Sequence, residues 1–167
     1  MRRLQFAVLA ATYLMTISVL SAQAGPGSNQ TLQGVTTLGV LIEEVGPTAT
    51  KIGLTEERLR SLVEAALRKG GVPVVGPERF KANPALPYFY VRLSVLEQAH
   101  SPTYVFSISV QFKQGVLLER DPKRSATATT WETGYFGVVG QLKSESIKDS
   151  TMEQVDRFIN AFKNANP

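Results

Sequence analysis

His100 is the only histidine of the 167-residue chain, and there is no cysteine. A Ser-His-Asp triad would have to use His100, with Ser101 or Ser94 nearby. The sequence contains no Gly-x-Ser-x-Gly elbow to expose a nucleophile, and His100-Ser101-Pro102 reads as a solvated turn. One histidine without cysteine argues against a zinc site and removes thiol chemistry and disulfides. Glu43-Glu44 offers two carboxylates, the groups that acid/base or calcium chemistry needs. Glycoside hydrolysis opposes two carboxylates across the scissile bond, whereas neighbours on a strand point to opposite faces. Solvation of a strand end is the simpler role for this pair. Asp121, in Glu119-Arg120-Asp121-Pro122-Lys123-Arg124, suits a turn. Gly134, Gly137 and Gly140 match neither the dinucleotide fingerprint nor the phosphate-binding loop. They predict a loop that needs positive φ or close backbone packing. These groups imply no catalytic residue, no metal and no cofactor.

The stronger candidates are aromatic and polar residues on alternating segments. In Tyr88 to Glu97, Phe89, Val91, Leu93 and Val95 share one side, and Tyr88, Tyr90, Arg92 and Ser94 share the other. In Tyr104 to Lys113, Tyr104, Phe106, Ile108, Val110 and Phe112 face in, while Ser107, Ser109, Gln111 and Lys113 face out. Period-two alternation of this kind marks half-buried antiparallel strands. A third strand is expected over Ala126 to Thr133, with Thr127, Thr129 and Trp131 on one side. If parity holds, Tyr88, Tyr90, Arg92, Ser107, Gln111, Thr129 and Trp131 share an open sheet face. Tyr, Trp and Arg are the residues enriched in binding hot spots. The plainer alternative is a wet sheet face with Trp131 covered by a loop.

The elements that position this face follow from pattern. Val35 to Val45 is β-branched and nearly continuous in its apolar part, as in a strand buried on both faces. Thr55 to Lys69 is the clearest helix. Thr55 is a good N-cap, Glu56 and Glu57 suit the first turn, and Leu59, Leu62, Val63, Ala66 and Leu67 form one apolar stripe. Glu56/Arg60 and Glu64/Arg68 are spaced as ion pairs, and Gly70-Gly71 can close the helix. Val72 to Val75, broken by Pro73, reads as an edge strand, and Pro77 opens a short helix reaching about Lys81. Gln98 to Thr103 is a hairpin turn, Gly115 to Leu118 a possible strand extension, and Glu119 to Ser125 a charged loop. Ser144 to Phe162 is a helix with Ile147, Met152, Val155, Phe158, Ile159 and Phe162 on its apolar side. Ser150 with Glu153 offers a capping box, which would start the helix later. The order β-α-β-(α)-β-β-β-α, with two single-striped helices, predicts an α+β two-layer sandwich. Its mixed sheet would carry both long helices on one face.

The first 24 residues set the compartment. Arg2-Arg3 forms a positive start, Leu4 to Leu20 is mostly apolar, and Ala22-Gln23-Ala24 supplies small residues for cleavage. The apolar run is near the short end for a membrane span and carries Gln5, Thr12, Thr16 and Ser18. A cleaved signal over 1–24, a flexible leader over 25–34 and a single domain over 35–167 are expected, with no stable membrane anchor after cleavage. The chain carries 18 basic and 14 acidic residues, net +4. Two of the basic residues, Arg2 and Arg3, lie in the expected signal, and no polybasic tract suggests nucleic acid.

LTEERLRSLVEAALRKGGVPVV, PYFYVRLSV, YVFSISVQFKQGVLLER, ATTWETGYFGVVG and VDRFINAFKNANP together resemble a family of exported bacterial proteins of unknown function. The likeness covers nearly all of the chain after the leader. Its most specific piece is Ala128-Thr129-Thr130-Trp131 followed by Thr133-Gly134, Gly137 and Gly140. The resemblance implies no activity. The element order is also similar to the amino-terminal domain of TolB and to CsgG-like envelope modules, which bind other envelope proteins. The expectation is an exported, periplasmic or secreted, non-enzymatic interaction module, whose partners are envelope proteins or further copies of itself. A small-ligand or glycan binder using the open face, and a hydrolase with a non-histidine site, are the alternatives. Mass spectrometry of protein from its native host should find Gly25 as the first residue; an intact Met1 in a membrane fraction would reject cleavage.

Overall fold

A computed structural model describes residues 28–167. The expected signal over 1–24 lies outside the described residues. The chain opens with a 3-10 turn, Ser28–Leu32, and continues through β1 (Gly39–Ile42), α1 (Pro47–Lys51), α2 (Glu56–Lys69) and α3 (Pro77–Ala82). Then come β2 (Tyr88–Glu97), β3 (Thr103–Leu118), β4 (Asp121–Gly140), a 3-10 turn at Gln141–Lys143, and α4 (Glu145–Ala165). The sheet order is β1-β2-β3-β4, with β1 parallel to β2 and the other pairs antiparallel. This is the mixed-sheet α+β architecture expected from the pattern, except that the expected strand over Val72 to Val75 is reduced to a single bridge at Val74.

The core lies between one sheet face and the helices. Phe89, Val91, Leu93 and Val95 on β2 face Phe112, Val110, Ile108 and Phe106 on β3, and all eight are buried. Leu59, Val63 and Leu67 of α2 and Ile147, Val155, Phe158 and Phe162 of α4 close the layer from the same side. Phe158 sits at its centre. Its ring lies 4.6 Å from Phe89, 5.8 Å from Phe112, 6.3 Å from Phe162 and 5.1 Å, edge-on, from Trp131.

Local chemistry explains the helices. The Thr55 hydroxyl accepts from the Arg58 amide and caps α2. Arg60 pairs with Glu56 at 2.6 Å and Arg68 with Glu64 at 2.7 Å. Gly71, at φ 82°, takes the left-handed turn that ends the helix. Leu62 is only half-buried, at the margin of the stripe. The capping box at Ser150 and Glu153 is not used, because α4 already begins at Glu145.

Four expectations are corrected. β1 is a four-residue strand flanked by a single bridge, Leu38 to Val74, and Leu41 is exposed, so β1 is not buried on both faces. Glycines 134, 137 and 140 lie within β4 rather than in a loop. None has positive φ. The close-packing half of that expectation fits, since a Cβ on Gly134 would stand 2.9 Å from the Ile108 carbonyl oxygen, and one on Gly137 2.8 Å from the Phe106 ring. The charged segment before Ala126 is mostly strand, with Asp121 starting β4 and accepting from the Lys123 amide. Lastly, residues 29–34 are docked rather than free. Leu32 is fully buried, Gln114 donates to the Thr31 carbonyl, and Asn166 bonds both Leu32 and Gly34.

Phe158→Ala should cost about 3–5 kcal/mol, because it empties the centre of the ring cluster. Leu62→Ala, half-buried, should cost about 1 kcal/mol. Urea unfolding of the two variants checks the order; equal losses would mean that α4 is not seated as described.

Candidate functional site

Among the described residues, the sheet face away from the helices is open over β3 and the Gly134–Gly140 part of β4, and over β2 except at Tyr88, where Phe80 of α3 reaches it. Register places its residues in rows. Tyr88, Lys113 and Thr129 form the first, Tyr90, Gln111 and Glu132 the second, and Arg92, Ser109 and Gly134 the third. Ser94, Ser107 and Phe136 follow, then Leu96, Val105 and Val138. Five of the six expected site residues, Tyr88, Tyr90, Arg92, Gln111 and Thr129, therefore share this face, with Ser107.

Trp131 is the exception. It is buried on the helix side, 4% exposed, against Phe158. The reason is a β-bulge. Phe112 pairs with Trp131 but Lys113 pairs with Thr129, so Thr130 is an extra residue that reverses the parity of β4. Thr127 and Thr129 stay on the open face, and Trp131 turns inward. A buried indole N–H requires an acceptor, and the Asn29 side-chain oxygen provides it at 3.1 Å. The Thr130 carbonyl, displaced by the bulge, accepts from the Thr31 hydroxyl.

The face has a polar end and an apolar end. At the polar end, the Tyr90 hydroxyl donates to the Glu43 carboxylate, and Arg92 Nε lies 3.5 Å from the same oxygen. Lys113 Nζ stands over the Tyr90 ring, 4.5 Å from its centre. The Thr129 hydroxyl donates to Gln111 Oε1, and Gln111 Nε2 donates to Ser109. Each exposed ion pair or cation–π contact contributes under about 1 kcal/mol, so their effect is to hold Tyr90 and Arg92 in place. Glu43 is thus tied into the face, beyond the strand-end solvation that its position suggested. At the apolar end, Leu96, Phe136 and Val138 are 67%, 67% and 59% exposed. Leu142, fully exposed, follows directly after β4.

Phe136 and Val138 were hidden in the sequence by the expectation of a glycine loop. The signal for them was the β-branched and aromatic run Tyr135-Phe136-Gly137-Val138-Val139. At the β1 edge, Phe80 of α3 packs over Gly39 and 5.8 Å from the Tyr88 ring. A cavity of about 560 Å³ opens there, lined by Leu41, Phe80, Pro84 and Tyr88 with Arg60 and Lys81.

The other chemical groups are not gathered. His100 sits alone at φ 65° in the β2–β3 turn. Asp121 is ion-paired with Arg124 at the far end of the β3–β4 hairpin. No group of three metal-ligating residues occurs among the described residues. In the first turn of α4, the hydrogen bond and charge of Lys148 hold the Glu145 carboxyl below its usual value, and Glu145 raises the Lys148 ammonium in return. Neither group belongs to the open face. Among the described residues, no helix is long and apolar enough to cross a membrane.

No family model and no curated protein matches the chain. Among solved structures it is similar to the PelC dodecamer from Paraburkholderia phytofirmans, at 12% identity over 87% of this chain and 96% of that one, with a TM-score of 0.41. A point variant of the same dodecamer gives 10% identity over 77% and 90%, with a TM-score of 0.40. Likeness at this level says nothing of this chain's activity.

Trp131 is the only tryptophan, so its fluorescence reports its placement. Emission should be blue-shifted relative to free tryptophan and resistant to iodide quenching. A red, readily quenched signal would put the indole back on the open face.

Proposed function

We propose that this protein is an exported, non-enzymatic interaction module of the bacterial cell envelope, and that it binds a protein partner through the open sheet face. One observation carries the reading. Leu96, Phe136 and Val138 are exposed together at one end of an uncovered face, beside the ordered Glu43–Tyr90–Arg92 group. A contiguous exposed apolar patch rimmed by polar groups marks a site of association. The arrangement supplies apolar area at one end and fixed hydrogen-bonding groups at the other, as in the anchor-and-rim anatomy of protein interfaces. The export part of the reading rests on the leader pattern of residues 1–24.

Small-ligand binding is the second reading. It is favoured by the cavity beside Tyr88, whose volume falls in the range of ligand pockets.

Phe136→Glu should weaken association through this face, read by co-purification and by self-association, at least tenfold, equivalent to about 1.4 kcal/mol or more. It should leave thermal stability within about 0.5 kcal/mol, as for an exposed site. His100→Ala and Asp121→Asn should leave binding intact. Loss of the biological effect in His100→Ala with an intact fold would reject the interaction reading in favour of an enzyme.

A further inference from the structure

We infer that the partner on the open face is a second copy of this chain, packed face to face about a two-fold axis that runs along β3. The inference rests on the interaction reading above and names its occupant. A rotation about β3 lays β2 of one copy over β4 of the other, row upon row, and sets β3 over itself.

Side-chain size is complementary under that operation. Arg92, a large residue of β2, meets Gly134 of β4, which has no side chain. In the next row the sizes exchange, with Ser94 on β2 and Phe136 on β4. The exposed Phe136 ring thus falls on a floor of Ser94 and Ser107 from the opposite copy. In the last row Leu96 meets Val138, apolar on apolar, and both are largely exposed in the single chain. Two inner faces that interdigitate in this way are how stacked sheets pack.

Charge agrees with size. Glu132 of β4 lies one row from Gly134, so it falls diagonally beside Arg92 of the other copy, within reach of a long side chain. Tyr90 meets Glu132 within its own row. Each copy contributes both members of this pair, so the two-fold makes the Arg92–Glu132 contact twice. The central column along the axis is Val105, Ser107, Ser109 and Gln111, which tolerates self-contact; Lys113, at its far end, meets its own copy, with its Nζ turned over the Tyr90 ring.

The area stands at the threshold. Three strands at about 4.8 Å and five rows at about 6.7 Å give a footprint of roughly 500 Å² per copy. A pair then buries about 1,000 Å², the lower bound for a specific interface. A closed two-fold pairing also covers Leu96, Phe136 and Val138 in both copies at once.

Sedimentation velocity of the purified full chain tests the geometry. Wild type should be a dimer at micromolar concentration. Arg92→Glu and Glu132→Arg should each weaken the dimer at least tenfold, because each sets like charges together twice. Their equimolar mixture should recover the dimer, since the heterodimer has one native and one reversed pair. Phe136→Glu should be monomeric. A monomeric wild type, a mixture that stays monomeric, or a Phe136→Glu dimer would each overturn the second-copy assignment. Capture of envelope proteins, measured on the same preparations, separates this from the broader reading. A monomeric wild type whose capture is still lost in Phe136→Glu overturns only the assignment to a second copy. Capture retained in a Phe136→Glu variant whose oligomeric state is also unchanged overturns the interaction reading as well.

Discussion

Phe158 is where α4 meets three strands at once. Its ring touches Phe89 of β2, Phe112 of β3 and Trp131 of β4, and continues along the helix to Phe162. The rest of the arrangement follows from satisfying that contact. Trp131 can reach Phe158 only if β4 slips by one residue, which the bulge at Thr130 does. Burying the indole strands its N–H unless an acceptor comes to it, and Asn29 comes from the chain start. The displaced Thr130 carbonyl then takes the Thr31 hydroxyl. Asn166, just past α4, closes the loop by bonding Leu32 and Gly34. One aromatic contact thereby accounts for the docking of residues 29–34, which composition alone marks as a mobile leader.

What was legible in the sequence had a physical period, and what was missed did not. β2 was readable from end to end because Phe89, Val91, Leu93 and Val95 alternate without a break against polar neighbours. α2 was readable because stripe, N-cap and first-turn acids agree. β4 was cut short at both ends. Its first residues, Asp121 to Ser125, belong to a hairpin ladder that projects beyond the core, so no apolar alternation marks them. Its last residues carry glycines, which ordinarily weaken a strand. They are accepted here because Gly134 lies against the Ile108 carbonyl and Gly137 against the Phe106 ring. A bulge is invisible to period-two reasoning, since it changes parity without changing composition. That is why Trp131 was placed on the wrong face while the five other site residues were placed on the right one.

Both outer strands of the sheet are covered locally, by side chains and, at β1, by one backbone bridge. At β1, Arg60 donates to the Val40 carbonyl while holding Glu56, and Leu38 is bridged to Val74. At β4, Thr31 occupies the Thr130 carbonyl. Unpaired edges invite uncontrolled strand addition, and these contacts oppose it at the points where each edge passes the core. One buried polar pair also fixes the helix layer. Thr133 donates to Gln154 across the β4–α4 junction, at 2.9 Å. Among the described residues the Gln154 amide nitrogen has no partner, a cost that an apolar pair would avoid. Such a pair favours one seating of α4 over a slipped one, because any other register would leave both side chains unsatisfied.

The bulge also shapes the open face. Without it, Trp131 would stand in the outward column of β4 and Glu132, Gly134, Phe136 and Val138 would point to the helices. Burying Glu132 there would place a charge in the core, which is far costlier than one extra residue in a strand. With it, the outward column reads Thr129, Glu132, Gly134, Phe136, Val138 against Tyr88, Tyr90, Arg92, Ser94, Leu96 on β2. Large stands across from small in the two middle rows, in opposite senses. A face meant only for water has no reason to alternate in size between its two flanking strands, nor to end in three exposed apolar side chains. The same slip that completes the core under Phe158 therefore also sets the alternation of large and small side chains on the open face.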